Sequence, residues 1–342
     1  MKNENLVECT LCGDPVELKH EEYPGYQEPY KFKIFHCKSC NTAFAYPHVE
    51  TTAIYENIYK YGNKVPGYDR YWKYAQKTKD LSNPLEYLKE TEDVYWSIER
   101  ALSTYVTDKK STKILEIGSG LGYLTYSLLK ENYDIIGLDI SQTAVKYANE
   151  TFGNHYLCTD LFEYSQLHPE SYDVIILTEV IEHIYNPLAF IESIIKLLKP
   201  GGRTIITTPN KSFYANGIIW ATELPPVHYW WFSEESFKYI AKRLNLTIDF
   251  ICFNDYYEKN YLAVDMKTLL RNQLPIPFFN KSGELIVQAD RISNSLLSNI
   301  WIVLNRNPYA KIFFSRLRKI FNFGSVVCGN RGIILCAIIN KN

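Results

Sequence analysis

No apolar run in the 342-residue chain reaches the length, about 18 residues, that a transmembrane helix needs. The opening stretch, MKNENLVECT, has nothing like the apolar core of a secretory signal. A soluble cytoplasmic protein is therefore expected. An excess of either charge is also missing, since 37 Lys and Arg stand against 38 Asp and Glu. A globally basic nucleic-acid binder is not expected on that balance. Repeats and low-complexity tracts are absent, and 46% apolar with 22% charged residues excludes disorder as the main state. What is abundant is aromatic: 28 Tyr, 17 Phe and 6 Trp make up 15% of the chain.

Cysteine is scarce but unevenly placed. Four of the eight fall in the first 40 residues, as Cys9-Thr-Leu-Cys12 and Cys37-Lys-Ser-Cys40. Two C-x-x-C pairs at this separation predict a structural four-thiolate Zn²⁺ site, each pair gripping the metal from a tight knuckle. Disulfides compete for the same thiols, but nothing points to an oxidising compartment. Residues 1–50 are accordingly read as a zinc ribbon. Cys158, Cys252, Cys328 and Cys336 sit singly in apolar stretches and are expected to be small core residues.

Residues 51–108 read as a Tyr-rich helical linker or lid, broken near Gly62, Pro66-Gly67 and Pro84. From Lys113 the rhythm changes to strand–helix alternation. Strands are expected at 113–117, 134–140, 155–160, 173–179 and 203–208, with 247–253 and 332–339 completing seven. Near-continuous apolar strands alternating with helices mean a parallel sheet covered on both faces. The fold class is thus α/β, a Rossmann-like sheet over residues 109–342 with an insertion at about 256–328.

Between the first strand and its helix lies Gly118-x-Gly120-x-Gly122, which lets backbone approach a ligand closely. The spacing is not the G-x-G-x-x-G of dinucleotide binders. Glu116, just before the loop, would repel a pyrophosphate and suit a cationic amino-acid ligand. Asp139 closes the second strand, where a carboxylate can accept both ribose hydroxyls. Asp160 closes the third, near where an adenine amino group would lie.

In order, ILEIGSGLGYLT, LDIS, TDLF, LTEVIEHI and LKPGGRTIITTPN resemble the successive motifs of class I S-adenosylmethionine-dependent methyltransferases, over about residues 109–255. The resemblance implies a seven-strand methyltransferase sheet that binds S-adenosylmethionine at the strand ends. It implies that Glu116, Gly118, Ser119, Gly120, Gly122 and Tyr123 line the methionine and ribose. Asp139 would hold the ribose, Ile140 would pack on the adenine, and Asp160 with Leu161 would edge it. Thr178 and Glu179 would border the transferred methyl group. More loosely, the cysteine module followed by a Tyr-rich segment resembles bacterial sugar and polysaccharide-pathway methyltransferases of the zinc-ribbon type.

Glu179, Glu182 and His183 would share one face if their segment is helical. With His228 after Pro225-Pro226, the pattern resembles small-RNA and ubiquinone-pathway O-methyltransferases, in which such a set binds a divalent metal. Two readings follow. Either Mg²⁺ sits on Glu179, Glu182, His183 and His228, or, without metal, His183 and His228 beside Glu182 are the candidate catalytic groups, with imidazole as general base.

From Arg291 to the end there are eight Lys or Arg and no Asp or Glu. Residues 307–323 lace four cations among apolar and aromatic side chains. This segment could pack on the sheet, contact a membrane surface transiently, or attract a phosphate-bearing acceptor. The expected activity is S-adenosylmethionine-dependent O-methylation of a carbohydrate, nucleotide sugar or secondary metabolite, with a small-molecule or glycan acceptor. An RNA methyltransferase is the alternative, against which the ribbon's lack of basic excess argues. A non-catalytic zinc-ribbon scaffold is the third reading, against which the intact Glu116, glycines and Asp139 argue.

Overall fold

A computed structural model describes residues 8–213, 223–259, 275–287 and 332–342. The expectations for Cys328, for the helix at 307–323 and for most of the insertion lie outside these residues.

The chain opens on two cysteine knuckles and three antiparallel strands, β1 (Glu17–Pro24), β2 (Lys31–Cys37) and β3 (Thr42–Tyr46). The first knuckle closes through Gly13 N–H to the Cys9 carbonyl, with Gly13 at φ +82°, a region L side chains rarely enter. Four helices follow: α1 (Thr52–Tyr61), α2 (Asp69–Thr78), α3 (Pro84–Thr91) and α4 (Asp93–Tyr105). The sequence breakers act where expected. Gly62 caps α1, and Pro84 opens α3 behind an Asn83 side chain that accepts from Glu86 N–H.

The alternating region gives β4 (Lys113–Ile117), α5 (Tyr123–Lys130), β5 (Asp134–Asp139), α6 (Gln142–Phe152), β6 (Tyr156–Cys158), α7 (Leu161–Leu167), β7 (Tyr172–Thr178), α8 (Pro187–Leu197) and β8 (Leu198–Pro209). Beyond it come β9 (Trp230–Trp231), α9 (Glu234–Arg243), β10 (Thr247–Phe250), α10 (Asn254–Lys259) and β11 (Ile334–Asn340). The main sheet runs β10-β11-β8-β7-β4-β5-β6, with only β11 antiparallel to its neighbours among the described strands. This is the seven-strand Rossmann-like sheet expected from the sequence. The chain order reverses between β4 and β7, so a crevice opens at the carboxyl ends of those strands.

The sheet is apolar on both faces, with a period of two along each strand. Leu115, Ile117, Ile175, Leu177 and Leu335 face one cluster with α8 and α9, while Ile114, Val174, Ile176, Cys336 and Ile338 face the other with α4 and α5. The first cluster continues without a break into the cysteine module, through Ile34, Phe44, Trp230 and Trp231. The reason is β9, which pairs with β3 as the fourth strand of the N-terminal sheet: Ala43 lies opposite Trp231 and Phe44 opposite Trp230. Part of the insertion also packs there, with Phe278 edge-on to the fully buried Tyr26.

Two expectations about thiols need correction. Cys158 and Cys252 are exposed, Cys158 as the last residue of β6 and Cys252 beyond Phe250, where β10 stops short of the expected strand; Cys336, in the middle of β11, is buried as expected. No helix among the described residues is long and apolar enough to cross a membrane.

Candidate active site

Two chemically distinct groupings stand out. The four N-terminal cysteines offer Sγ atoms that all lie within 4.8 Å of one another, the only such metal-ligating group among the described residues. Cys12 and Cys37 are 3.4 Å apart and Cys9 and Cys40 3.7 Å. A disulfide would need about 2.0 Å. Four thiolates at about 2.3 Å around a tetrahedral Zn²⁺ would sit roughly 3.8 Å from one another. The cluster therefore fits zinc and does not fit disulfides.

The second grouping is a cleft of about 1560 Å³ at the carboxyl ends of β4, β5 and β7, roofed by α1 and α2. The glycine loop forms its floor. Gly118 has φ +74°, and a Cβ there would meet Val180 Cγ2 at 2.4 Å. Gly120, at φ +49°, has open space where a Cβ would stand, on the side a ligand would occupy. Gly122 is needed for a different reason: its Cβ would strike Ala148 and Tyr156, and its carbonyl accepts from Tyr156 Oη at 2.6 Å.

Glu116 is buried in β4 and accepts from the Thr125 hydroxyl. Burial pushes its carboxyl up to about 8. Asp139 accepts from Gly120 N–H and Ser141 N–H, both at 2.8 Å, so it braces the loop with lone pairs still to spare. Burial raises its carboxyl as well. Ser119 Oγ and Thr178 Oγ1 are buried without a hydrogen-bond partner. Orphan hydroxyls beside a Cβ-free loop suit a polar ligand lying on the floor. Ile140, largely exposed, and Leu161 also line the cleft. Asp160 lines it too, and it accepts from Phe162 and Glu163 N–H as the cap of α7. Tyr123 opens α5, with its hydroxyl 2.6 Å from that of Tyr95.

At the far end of the cleft the sequence pattern Glu-Val-Ile-Glu-His adopts a form that was not expected. It is not one α-helix: Glu179 has φ +53°, and only Ile181–His183 makes a 3₁₀ turn. Glu179 is thereby turned toward α2, where its Oε2 accepts from Arg70 Nη2 at 2.9 Å and Tyr71 Oη at 2.7 Å. The four residues of the alternative Mg²⁺ set therefore do not converge as ligands. Arg70 also faces Glu92 at 3.6 Å and lies over the Tyr71 ring.

Glu182 is fully buried, with Oε2 accepting from Thr208 Oγ1 at 3.0 Å. Burial and the charges of Glu179 and Glu223 push its carboxyl well above the ordinary range. His183 donates from Nδ1 to the Val227 carbonyl at 2.5 Å, which leaves Nε2 as the basic nitrogen of the neutral ring. Its Nε2 is 3.9 Å from Glu182 Oε1. Burial lowers the His183 imidazole and puts that of His228 well below the ordinary range; a proton on the His183 ring, 4.5 Å away, would lower it further, and the Arg70 charge acts the same way.

Sequence reasoning missed Arg70 and the aromatic rim of His48, Tyr55, Tyr185 and Tyr229, all of which line the cleft. Tyrosine abundance in 51–108 was the only signal, and it could not separate rim from core. The tie that holds the histidine turn was likewise hidden. Tyr229 N–H donates to the Glu182 carbonyl, and the Tyr229 carbonyl accepts from Ala45 N–H, both at 2.9 Å.

Comparisons with known proteins cover part of the chain. Ubiquinone biosynthesis O-methyltransferase of Aliivibrio fischeri is 34% identical over 119 residues, 33% of this chain and 51% of that protein. The Photobacterium profundum protein of the same name is 34% identical over 131 residues, 35% of this chain and 56% of its own length. The chain thus spans about half the length of the curated relatives it matches. A solved SAM-dependent methyltransferase from Archaeoglobus fulgidus is similar over 72% of this chain and 93% of that one, at 19% identity and a TM-score of 0.40. Residues 89–250 match the family model described as a methyltransferase domain. That matched region carries the glycine loop, both acid-ended strands and the histidine turn.

Proposed function

We propose that this chain is an S-adenosylmethionine-dependent O-methyltransferase of a small hydroxylated molecule, held together at its N-terminus by structural zinc. The observation that carries it is the pairing of two half-sites in one cleft. One half offers the Cβ-free loop with Glu116 and Asp139, and the other offers a neutral imidazole whose Nε2 is fixed as acceptor. The curated relatives are named as O-methyltransferases, which favours oxygen as the methylated atom.

S-adenosylmethionine, when bound, supplies an electrophilic methyl on a sulfonium. Glu116 would face its ammonium and Asp139 its ribose hydroxyls. On the acceptor side, His183 Nε2 would take the hydroxyl proton as the oxygen gains its methyl, and the Val227 bond keeps the ring in that tautomer. The aromatic rim stacks equally on a phenolic ring or a sugar face. Relatives named for ubiquinone biosynthesis favour the phenol, and the looser resemblance to ribbon-bearing sugar enzymes favours the carbohydrate. We place the protein in the cytoplasm, where reduced thiols can hold zinc.

Calorimetry with S-adenosylhomocysteine tests the donor half. One site per chain is expected, weakened by about 1.5–3 kcal/mol in Asp139→Ala through loss of a charged hydrogen bond. Unchanged affinity in that variant contradicts the assignment. Methyl transfer to catechol, glucose or a nucleotide sugar, read by product mass, tests the acceptor half.

A further inference from the structure

The cleft is acidic. Among the described residues that line it are nine Asp and Glu against only Lys60 and Arg70. Arg70 does not answer the imbalance, because its guanidinium is already engaged with Glu179 and Glu92 and lies over Tyr71. Glu116 and Asp139 are accounted for by the donor half, which rests on the reading above. At the acceptor end, Glu182 lies between Glu179, which Arg70 and Tyr71 already hold, and Glu223, which accepts from Trp231 Nε1.

One atom there is left unanswered. Glu182 Oε1 is buried and has no hydrogen-bond partner, although its sister oxygen is held by Thr208. The nearest candidate, His183 Nε2, is 3.9 Å away, beyond hydrogen-bond range. It is also the nitrogen left without a proton by the Val227 bond. A buried carboxyl oxygen lining the cleft, with no donor among the described residues, suits a donor supplied by the acceptor, and a cationic one best because it also offsets the carboxylates of Glu179 and Glu223 nearby. An anionic acceptor would meet the Glu182 and Glu223 carboxyls here and find Arg70 already held by Glu179 and Glu92, which argues against the phosphate-bearing acceptor expected from the basic tail.

We propose that the acceptor carries a protonated amino group and that Glu182 Oε1 receives it. The acceptor half of the cleft is then a subsite for a cationic amino alcohol or aminophenol. The arrangement also explains which atom is methylated. Burial favours the protonated carboxyl in the free protein, and an arriving ammonium favours the ionised one; so held, the ammonium keeps its own proton and has no lone pair to offer. The hydroxyl, next to His183 Nε2, can lose its proton there. Its oxygen forms the new O–CH₃ bond while the C–S electron pair returns to sulfur.

The test uses the full chain saturated with S-adenosylhomocysteine and two matched probe series. One series is dopamine, catechol and 3,4-dihydroxybenzoate, and the other is glucosamine, glucose and glucose 6-phosphate. Binding is read by calorimetry with and without added Mg²⁺. In the series that fits the cleft, the cationic member is expected to bind about ten-fold more tightly than the neutral one, and the anionic member more weakly still. Glu182→Gln is expected to bring the cationic and neutral members within about three-fold, with S-adenosylhomocysteine affinity unchanged as evidence of folding. Should that variant not fold, the wild-type ranking decides alone. No binding of either cationic probe, tighter binding of an anionic one, a ranking unaltered in Glu182→Gln, or binding that requires Mg²⁺ overturns the proposal. Failure of S-adenosylhomocysteine itself to bind would instead overturn the methyltransferase reading.

Discussion

Replacing Glu116 by Gln separates what the residue does for folding from what it does for binding. In the free protein its carboxyl is buried with no facing cation, which moves it from 4.5 to about 8. A folded-state value above the unfolded one contributes stability that is complete below the unfolded value and is lost as pH rises through the folded value. The shift spans about 3.5 units, so at about 1.4 kcal/mol per unit the ionised carboxyl destabilises the free fold by up to roughly 4–5 kcal/mol at pH 8 and above. Structural relaxation would lower that bound. The Gln side chain can still accept from Thr125 but carries no charge. Urea denaturation between pH 5.5 and 8.5 should therefore show the variant gaining on the wild type as pH rises. With S-adenosylhomocysteine the order should reverse, because the ligand's ammonium pairs only with the carboxylate. Parallel wild-type and variant stability curves across this range would refute the burial argument. Equal ligand affinity of the two proteins would refute the place given to the ammonium.

Two further outcomes are expected. Elemental analysis should find one zinc per chain, lost when Cys9 and Cys37 become Ser; four free thiols without zinc would contradict the fit to a tetrahedral shell. For His183, burial lowers the imidazole, so the neutral ring persists at pH values where an ordinary histidine is charged. The acid limb of kcat should then have its midpoint below 6.5, and a midpoint above 6.5 would remove His183 as the base.

Much of the main sheet is legible in the sequence because both faces of its strands are buried, so each reads as an apolar run bounded by polar or glycine residues. The glycine loop is legible for a related reason: backbone at positive φ pressed against Val180 and Ala148 leaves almost no other residue type. The histidine turn is not legible. Glu179, Glu182 and His183 have spacing that suits a helix, but Glu179 stands at positive φ with its carboxylate bonded to Arg70 and Tyr71 of α2, a long-range contact that spacing cannot report. Arg70 itself lies some 110 residues away in the chain and carries no local signal. β9 escapes for the same reason. Two tryptophans read as apolar, but nothing near them says that their partners are Ala43 and Phe44.

That pairing bears on how the protein can be divided. The cysteine module takes its fourth strand from within the region that matches the methyltransferase-domain model, and Trp230 and Trp231 are buried by it. A cut near residue 50 would strip β3 of its partner and open a wall of indole and phenyl rings to water. It would also remove Ala45 and Val49, whose backbone groups hold Tyr229 at its carbonyl and its hydroxyl. The module is therefore less a tag on the chain than a wedge driven between segments of the region it packs on, and neither part can be borrowed, swapped or expressed alone without rebuilding the surface where they meet.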